Sequence, residues 1–100
     1  MALHRVPLSA LAPTGRAVVA LAGKEIALFR IEGAVYAVEN ACPHEGNPLV
    51  QGDVAGTTIT CAYHLWRFDL ETGACLSGDE PARAYRASVS GADVLIELPQ

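Results

Sequence analysis

The chain has 100 residues, enough for one domain with a modest core, and 51% of them are hydrophobic, which argues against a disordered chain. Eleven acidic residues against seven basic ones leave a net charge of −4. Phosphate binding needs clustered Lys and Arg, so this balance argues against nucleic acid as a partner.

Strand signals dominate, separated by Gly-containing turns at short intervals. Arg16 to Leu21 reads as a strand and Ala22-Gly23-Lys24 as a turn. Glu25 to Ile31 is the next strand, and Glu32-Gly33 turns it into Val35 to Val38, which is rich in β-branched and aromatic residues. A loop follows from Asn40 to Leu49. Gly52-Asp53 and Gly56 punctuate a return to the short strand Thr57 to Cys61. A second loop runs from Cys61 to about Leu65, then Trp66 to Asp69 forms a strand closed by the turn Glu71-Thr72-Gly73. Ala84 to Val89 and Asp93 to Leu98 make a final hairpin around Ser90-Gly91. No segment has a helical period, and Pro and Gly break Ala12 to Gly15 and Gly78 to Pro81. The fold class expected is all-β, an antiparallel sandwich or barrel. No apolar run approaches the ~20 residues that cross a bilayer. The best candidate, Ala17 to Ala22, is far too short. With neither a cleavable signal pattern nor twin arginine at the N-terminus, the expectation is a cytoplasmic protein with no membrane partner.

The chemistry lies in the two loops. Cys42-Pro43-His44 is followed, after sixteen residues, by Cys61-Ala62-Tyr63-His64. Two Cys and two His can hold Zn²⁺ tetrahedrally. They also suit a [2Fe–2S] centre in which two Cys hold one iron and two His the other. Common zinc-finger spacings place both Cys in one pair and both His in the other. Here each pair mixes the two, so each loop can send its Cys to one iron and its His to the other. Cys75 is left over, which argues against a disulfide framework and reads as a small buried side chain.

This pattern resembles the Rieske ferredoxins. The resemblance runs from about residue 16 to 98 and rests on C-P-H, Pro48-Leu49, C-x-x-H, Phe68-Asp69, Thr72-Gly73, Tyr85 and the last hairpin. It implies that Cys42 and Cys61 hold an inner iron and His44 and His64 an outer one. It also implies that residues 40–49 and 61–66 form a small cluster-binding subdomain inserted in a single 1–100 Rieske domain. Pro43 and Gly46 are expected to shape the first loop's backbone, Trp66 to pack at the loop base, and Glu45 to be solvated. High-potential Rieske proteins carry a disulfide at the positions of Asn47 and Tyr63, and a Ser at the position of Trp66. Their absence implies a low potential within the range of roughly −150 to +300 mV. Outward-facing His44 and His64 imply a potential that falls as pH rises.

Two positions depart from the common C-P-x-H-G form: Ala62 replaces the Pro and Leu65 the Gly. The run His64-Leu65-Trp66-Arg67-Phe68 resembles ferredoxins of diiron toluene-type monooxygenases more than those of ring-hydroxylating dioxygenases. Relatives often carry a Pro-containing loop over the cluster, for which Ser77 to Pro81 is the nearest segment. No G-x-G-x-x-G marks a nucleotide site and no carboxylate–His set marks a catalytic iron. The expectation is therefore a non-enzymatic, monomeric carrier. It would pass single electrons from an NADH-dependent flavoprotein reductase to a terminal oxygenase acting on aromatic hydrocarbons. The alternatives are a small Rieske subunit of a nitrite-reductase-like complex and a zinc-stabilised interaction module.

Overall fold

The run Ile26-Ala27-Leu28-Phe29 has no polar residue to alternate with, and a strand apolar on both sides has to be covered on both. The computed structural model describes residues 2–12, 14–43, 46–62, 65–78 and 80–98. In chain order its strands are β1 (Ala2–Pro7), β2 (Arg16–Leu21), β3 (Lys24–Ile31), β4 (Ala34–Glu39), β5 (Asp53–Ala55), β6 (Thr58–Thr60), β7 (Arg67–Asp69), β8 (Ala84–Tyr85), β9 (Ala87–Ser90) and β10 (Asp93–Leu98). They form three antiparallel sheets, β2-β3-β4-β8, β1-β10-β9 and β5-β6-β7. Among the described residues the only helical elements are the 3₁₀ turns Leu8–Leu11 and Leu49–Gln51. No helix among them is long and apolar enough to cross a membrane.

The β2-β3-β4-β8 sheet lies between two cores. Ala27, Phe29 and Val38 pack with Cys42, Cys61, Ile59 and Phe68. Ile26, Leu28 and Ala37 belong instead to a core with Val94, Ile96 and Leu98 of β10. The period of two along a strand makes this split: odd positions of β3 serve the loop side, even ones the β10 side. All four residues from Ile26 to Phe29 are at most 1% exposed. The links β2–β3 and β3–β4 are the two-residue turns Ala22-Gly23 and Glu32-Gly33, with positive φ at all four positions. That is the backbone of a type I′ hairpin, whose twist matches the strands it joins.

Several expectations need correction. Ala84 to Val89 is two strands rather than one: Tyr85 pairs with Ala37 of β4, whereas Ala87 pairs with Ile96 of β10. The chain changes sheets at Arg86, and no local signal marks that exchange. Asp53–Ala55, read as part of a return, is a strand paired with β6. Ala2–Pro7 was not expected as a strand, and its partner is β10 at the far end of the chain. The β6 strand stops at Thr60, one residue before Cys61, because the Cys61 amide turns to bond within the loop instead.

Three devices fasten the first loop to this frame. Asn40, 8% exposed, accepts a hydrogen bond on Oδ1 from the Val50 amide at 2.9 Å and donates from Nδ2 to Glu25 Oε1 at 3.3 Å. It therefore clamps the two ends of the loop together. Arg16 Nη1 donates to the carbonyls of Val50 at 2.8 Å and Gly52 at 2.6 Å, and its guanidinium sits 5.5 Å from the Phe29 ring centroid. Gly52 permits the third contact: a Cβ there would lie 2.3 Å from the Thr60 carbonyl oxygen. The exit of the first loop thus rests directly on the backbone that leads into Cys61.

Gly52→Ala should force that contact apart. We expect a loss of about 1–3 kcal/mol, the cost of overpacking a close contact, read as a shifted urea midpoint with unchanged slope. Tyr85 offers a test of the opposite sign. Its hydroxyl is buried and only weakly bonded to Arg83, and burial, then the Glu39 carboxylate, push the phenol above its usual pKa of 10.0, against a smaller pull from the Arg83 charge and that weak contact. A raised folded-state pKa means stability that is present below about pH 10 and lost as pH climbs through the folded value. Tyr85→Phe should be at least as stable as the parent at pH 7 and should lose less stability above about pH 10. Urea titrations at both pH values check this.

Candidate functional site

Cys42 and Cys61 are both 0% exposed, within the same core. They reach it by one backbone device used twice. In the first loop the Gly46 amide donates to the Cys42 carbonyl at 2.6 Å, and the Cys42 amide donates to the Asn47 carbonyl at 2.7 Å. In the second, the Leu65 amide donates to the Cys61 carbonyl at 3.0 Å, and the Cys61 amide to the Trp66 carbonyl at 2.7 Å. Each turn therefore closes between a Cys and the residues four and five positions later. The residue four positions on has positive φ in both, 75° at Gly46 and 58° at Leu65. The likeness of the loops was not visible in the sequence, since the His falls two residues after Cys42 but three after Cys61, and only one loop has the glycine.

The expectation that Gly46 shapes the backbone holds, and the positive φ is the reason. Leu65 adopts the same conformation against the Cβ–carbonyl crowding that a left-handed backbone imposes, at a cost of about 1–2 kcal/mol. Its side chain is 71% exposed.

Trp66 packs, half-buried, on the core that contains both cysteines. Its ring meets Gly78, where a Cβ would stand 3.3 Å from Cζ3. Segment 76–78 is held along β7 by the Leu76 amide on the Arg67 carbonyl at 2.7 Å and by the Arg67 amide on Ser77 Oγ at 3.1 Å. Cys75 bridges to Phe68 and is half-buried against the same core, in keeping with a packing role. Glu45, His44 and His64, the last two expected as ligands, lie outside the described residues.

The donor chemistry fits an iron–sulfur centre. Two sulfur donors sit in a water-free core on loops of matched geometry, and each loop carries one histidine within three residues of its cysteine. A buried thiolate is costly unless a cation neutralises it, and coordination does so.

Comparison with known proteins identifies the family. The family model of the Rieske [2Fe-2S] domain matches residues 5–93. The ferredoxin component of the naphthalene 1,2-dioxygenase system of Pseudomonas aeruginosa is 35% identical over 82 residues, 80% of this chain and 79% of that one. The ferredoxin of carbazole 1,9a-dioxygenase from Nocardioides aromaticivorans IC177 superposes with a TM-score of 0.83 at 32% identity, covering 96% of this chain and 97% of that one. A chain from the complex of reduced oxygenase and oxidised ferredoxin in carbazole 1,9a-dioxygenase matches with a TM-score of 0.81 at 26% identity, over 94% and 91% of the two chains. Sequence, fold and buried sulfur donors together place the chain in the Rieske [2Fe-2S] domain family.

Proposed function

We propose that this chain is a single-electron carrier of a multicomponent ring-hydroxylating oxygenase, and that Cys42, His44, Cys61 and His64 hold its [2Fe-2S] cluster. The observation that carries the reading is the pair of fully buried thiols presented by two equivalent turns. The relatives named above are ferredoxin components rather than catalytic subunits. When bound, such a cluster takes up and returns one electron.

What the chain's own residues do follows from their burial. Cys42 and Cys61, both 0% exposed, hold their end of the centre away from water, so the electron enters and leaves on the histidine side. Asn40 and Arg16 keep the first loop from shifting when the charge of the site changes by one, which limits reorganisation. Trp66 and Gly78 close the base of the second loop.

The partners proposed are a terminal oxygenase as acceptor and an NADH-dependent flavoprotein reductase as donor, met one at a time by a monomer in the cytoplasm. The named relatives serve dioxygenases, which favours a dioxygenase as the acceptor over the monooxygenase expected from the run His64 to Phe68. The complex of oxygenase and ferredoxin in carbazole 1,9a-dioxygenase supports direct docking on the oxygenase. Such contacts are small and transient, because the carrier has to leave again.

The protein purified under anaerobic conditions should contain iron and acid-labile sulfide, about two of each per chain. After dithionite reduction it should give a rhombic EPR signal, and Cys42→Ser or Cys61→Ser should abolish it. A colourless protein holding stoichiometric zinc would overturn the reading. The reduction potential should lie near the bottom of the family range, roughly −150 mV, and a value above about +100 mV would contradict the proposed environment.

A further inference from the structure

Both cysteine loops need a residue with positive φ four positions after the cysteine, and the first loop uses glycine there. The second uses leucine, in the same turn, closed by the same pair of hydrogen bonds. The turn itself therefore does not call for leucine, and the leucine strains it. Packing does not call for it either. At 71% exposure, Leu65 is the most exposed large apolar side chain among the described residues. Among the described residues, the other non-glycine positions with positive φ, Ala22 and Glu32, lie in two-residue hairpin turns and expose no large apolar group. Leu65 is thus both strained and bare, next in sequence to His64, where the carrier has to meet its acceptor.

We propose that Leu65 is a partner-contact residue: its side chain enters an apolar depression on the terminal oxygenase and selects which oxygenases the carrier can serve. The inference rests on the electron-carrier reading above. Burying an exposed leucine against a partner releases water from a surface that the free protein leaves wet, which is the usual chemistry of an interface anchor. The oxygenase is assigned over the reductase because a structural relative is seen with an oxygenase. Leu76, 52% exposed and tied to Arg67 by its amide, adds a second apolar side chain on the neighbouring segment.

Three variants separate this role from a structural one. Leu65→Gly removes both strain and side chain. Leu65→Asn suits a left-handed backbone but is polar. Leu65→Met keeps an apolar group. Each would be reduced with dithionite and mixed in a stopped-flow instrument with the oxidised terminal oxygenases of naphthalene 1,2-dioxygenase and carbazole 1,9a-dioxygenase. One electron then passes from carrier to oxygenase. Reduction of each carrier by NADH and the reductase of the naphthalene system forms the second arm.

The expected result is a second-order rate constant for oxygenase reduction at least tenfold lower in the Gly and Asn variants and within about twofold in the Met variant. Their EPR spectra and reduction potentials should be unchanged, their thermal midpoints at or above the parent's, and their rates with the reductase unaltered. Unchanged oxygenase rates in all variants would overturn the proposal. So would a loss confined to the reductase, or a loss of cluster in the Gly variant. If the parent protein carries a cluster yet reduces neither oxygenase, the acceptor named under the proposed function fails, and this inference with it.

Discussion

The structure depends on β3 being buried on both faces. A strand of that kind cannot sit at the surface of a two-layer protein, so the chain has to supply a cover on each side. The cover on one side is the sheet that joins the two ends of the chain, with Val94 and Ile96 against Ile26 and Leu28. On the other it is the cysteine-bearing loops and the small β5-β6-β7 sheet, with Ile59 and Phe68 against Ala27 and Phe29. Cys42 and Cys61 are therefore part of the hydrophobic core rather than an addition to it. Replacing a fully buried Phe such as Phe29 by Ala typically costs about 3–5 kcal/mol, and here the vacated space would open beneath both loops.

That arrangement explains how a small β-protein can keep a redox site rigid. The described residues of the loops have little regular structure, yet each cysteine is fixed by a closed turn of two backbone hydrogen bonds. The turns are anchored to the sheet by partly buried polar contacts, Asn40 to Val50 and Arg16 to Val50 and Gly52, where a lost hydrogen bond costs more than at the open surface. Gly52 then sets the two loops against each other with backbone touching backbone. An electron carrier gains from such stiffness, since motion that accompanies a change of charge slows transfer. It pays for accessibility at the rim, where Leu65 stands exposed on a strained backbone.

Much of this was legible in the sequence. Arg16–Leu21 and Asp93–Leu98 were bounded correctly, because each is an apolar run ended by turn residues whose chemistry is local. The hairpins at Ala22-Gly23 and Glu32-Gly33 were legible for the same reason. Misreadings fell where pairing is with a distant partner. Ala2–Pro7 becomes a strand only because β10 lies beside it, and the break at Arg86 exists only because two sheets compete for neighbouring residues.

The sequence by itself determined the family and pointed to the proposed donor set. Sulfur and imidazole groups at these spacings are a matter of covalent order, and Cys42-Pro43-His44 with Cys61-Ala62-Tyr63-His64 is visible without a fold. Only the tertiary structure decided that the two loops are the same turn, that both cysteines are sealed from water, and that Leu65 takes the place of a glycine in the second. Those properties depend on which backbone groups meet across the fold, such as Thr60 against Gly52 and Trp66 against Cys61. No residue carries that information until the β3 core has drawn the loops together.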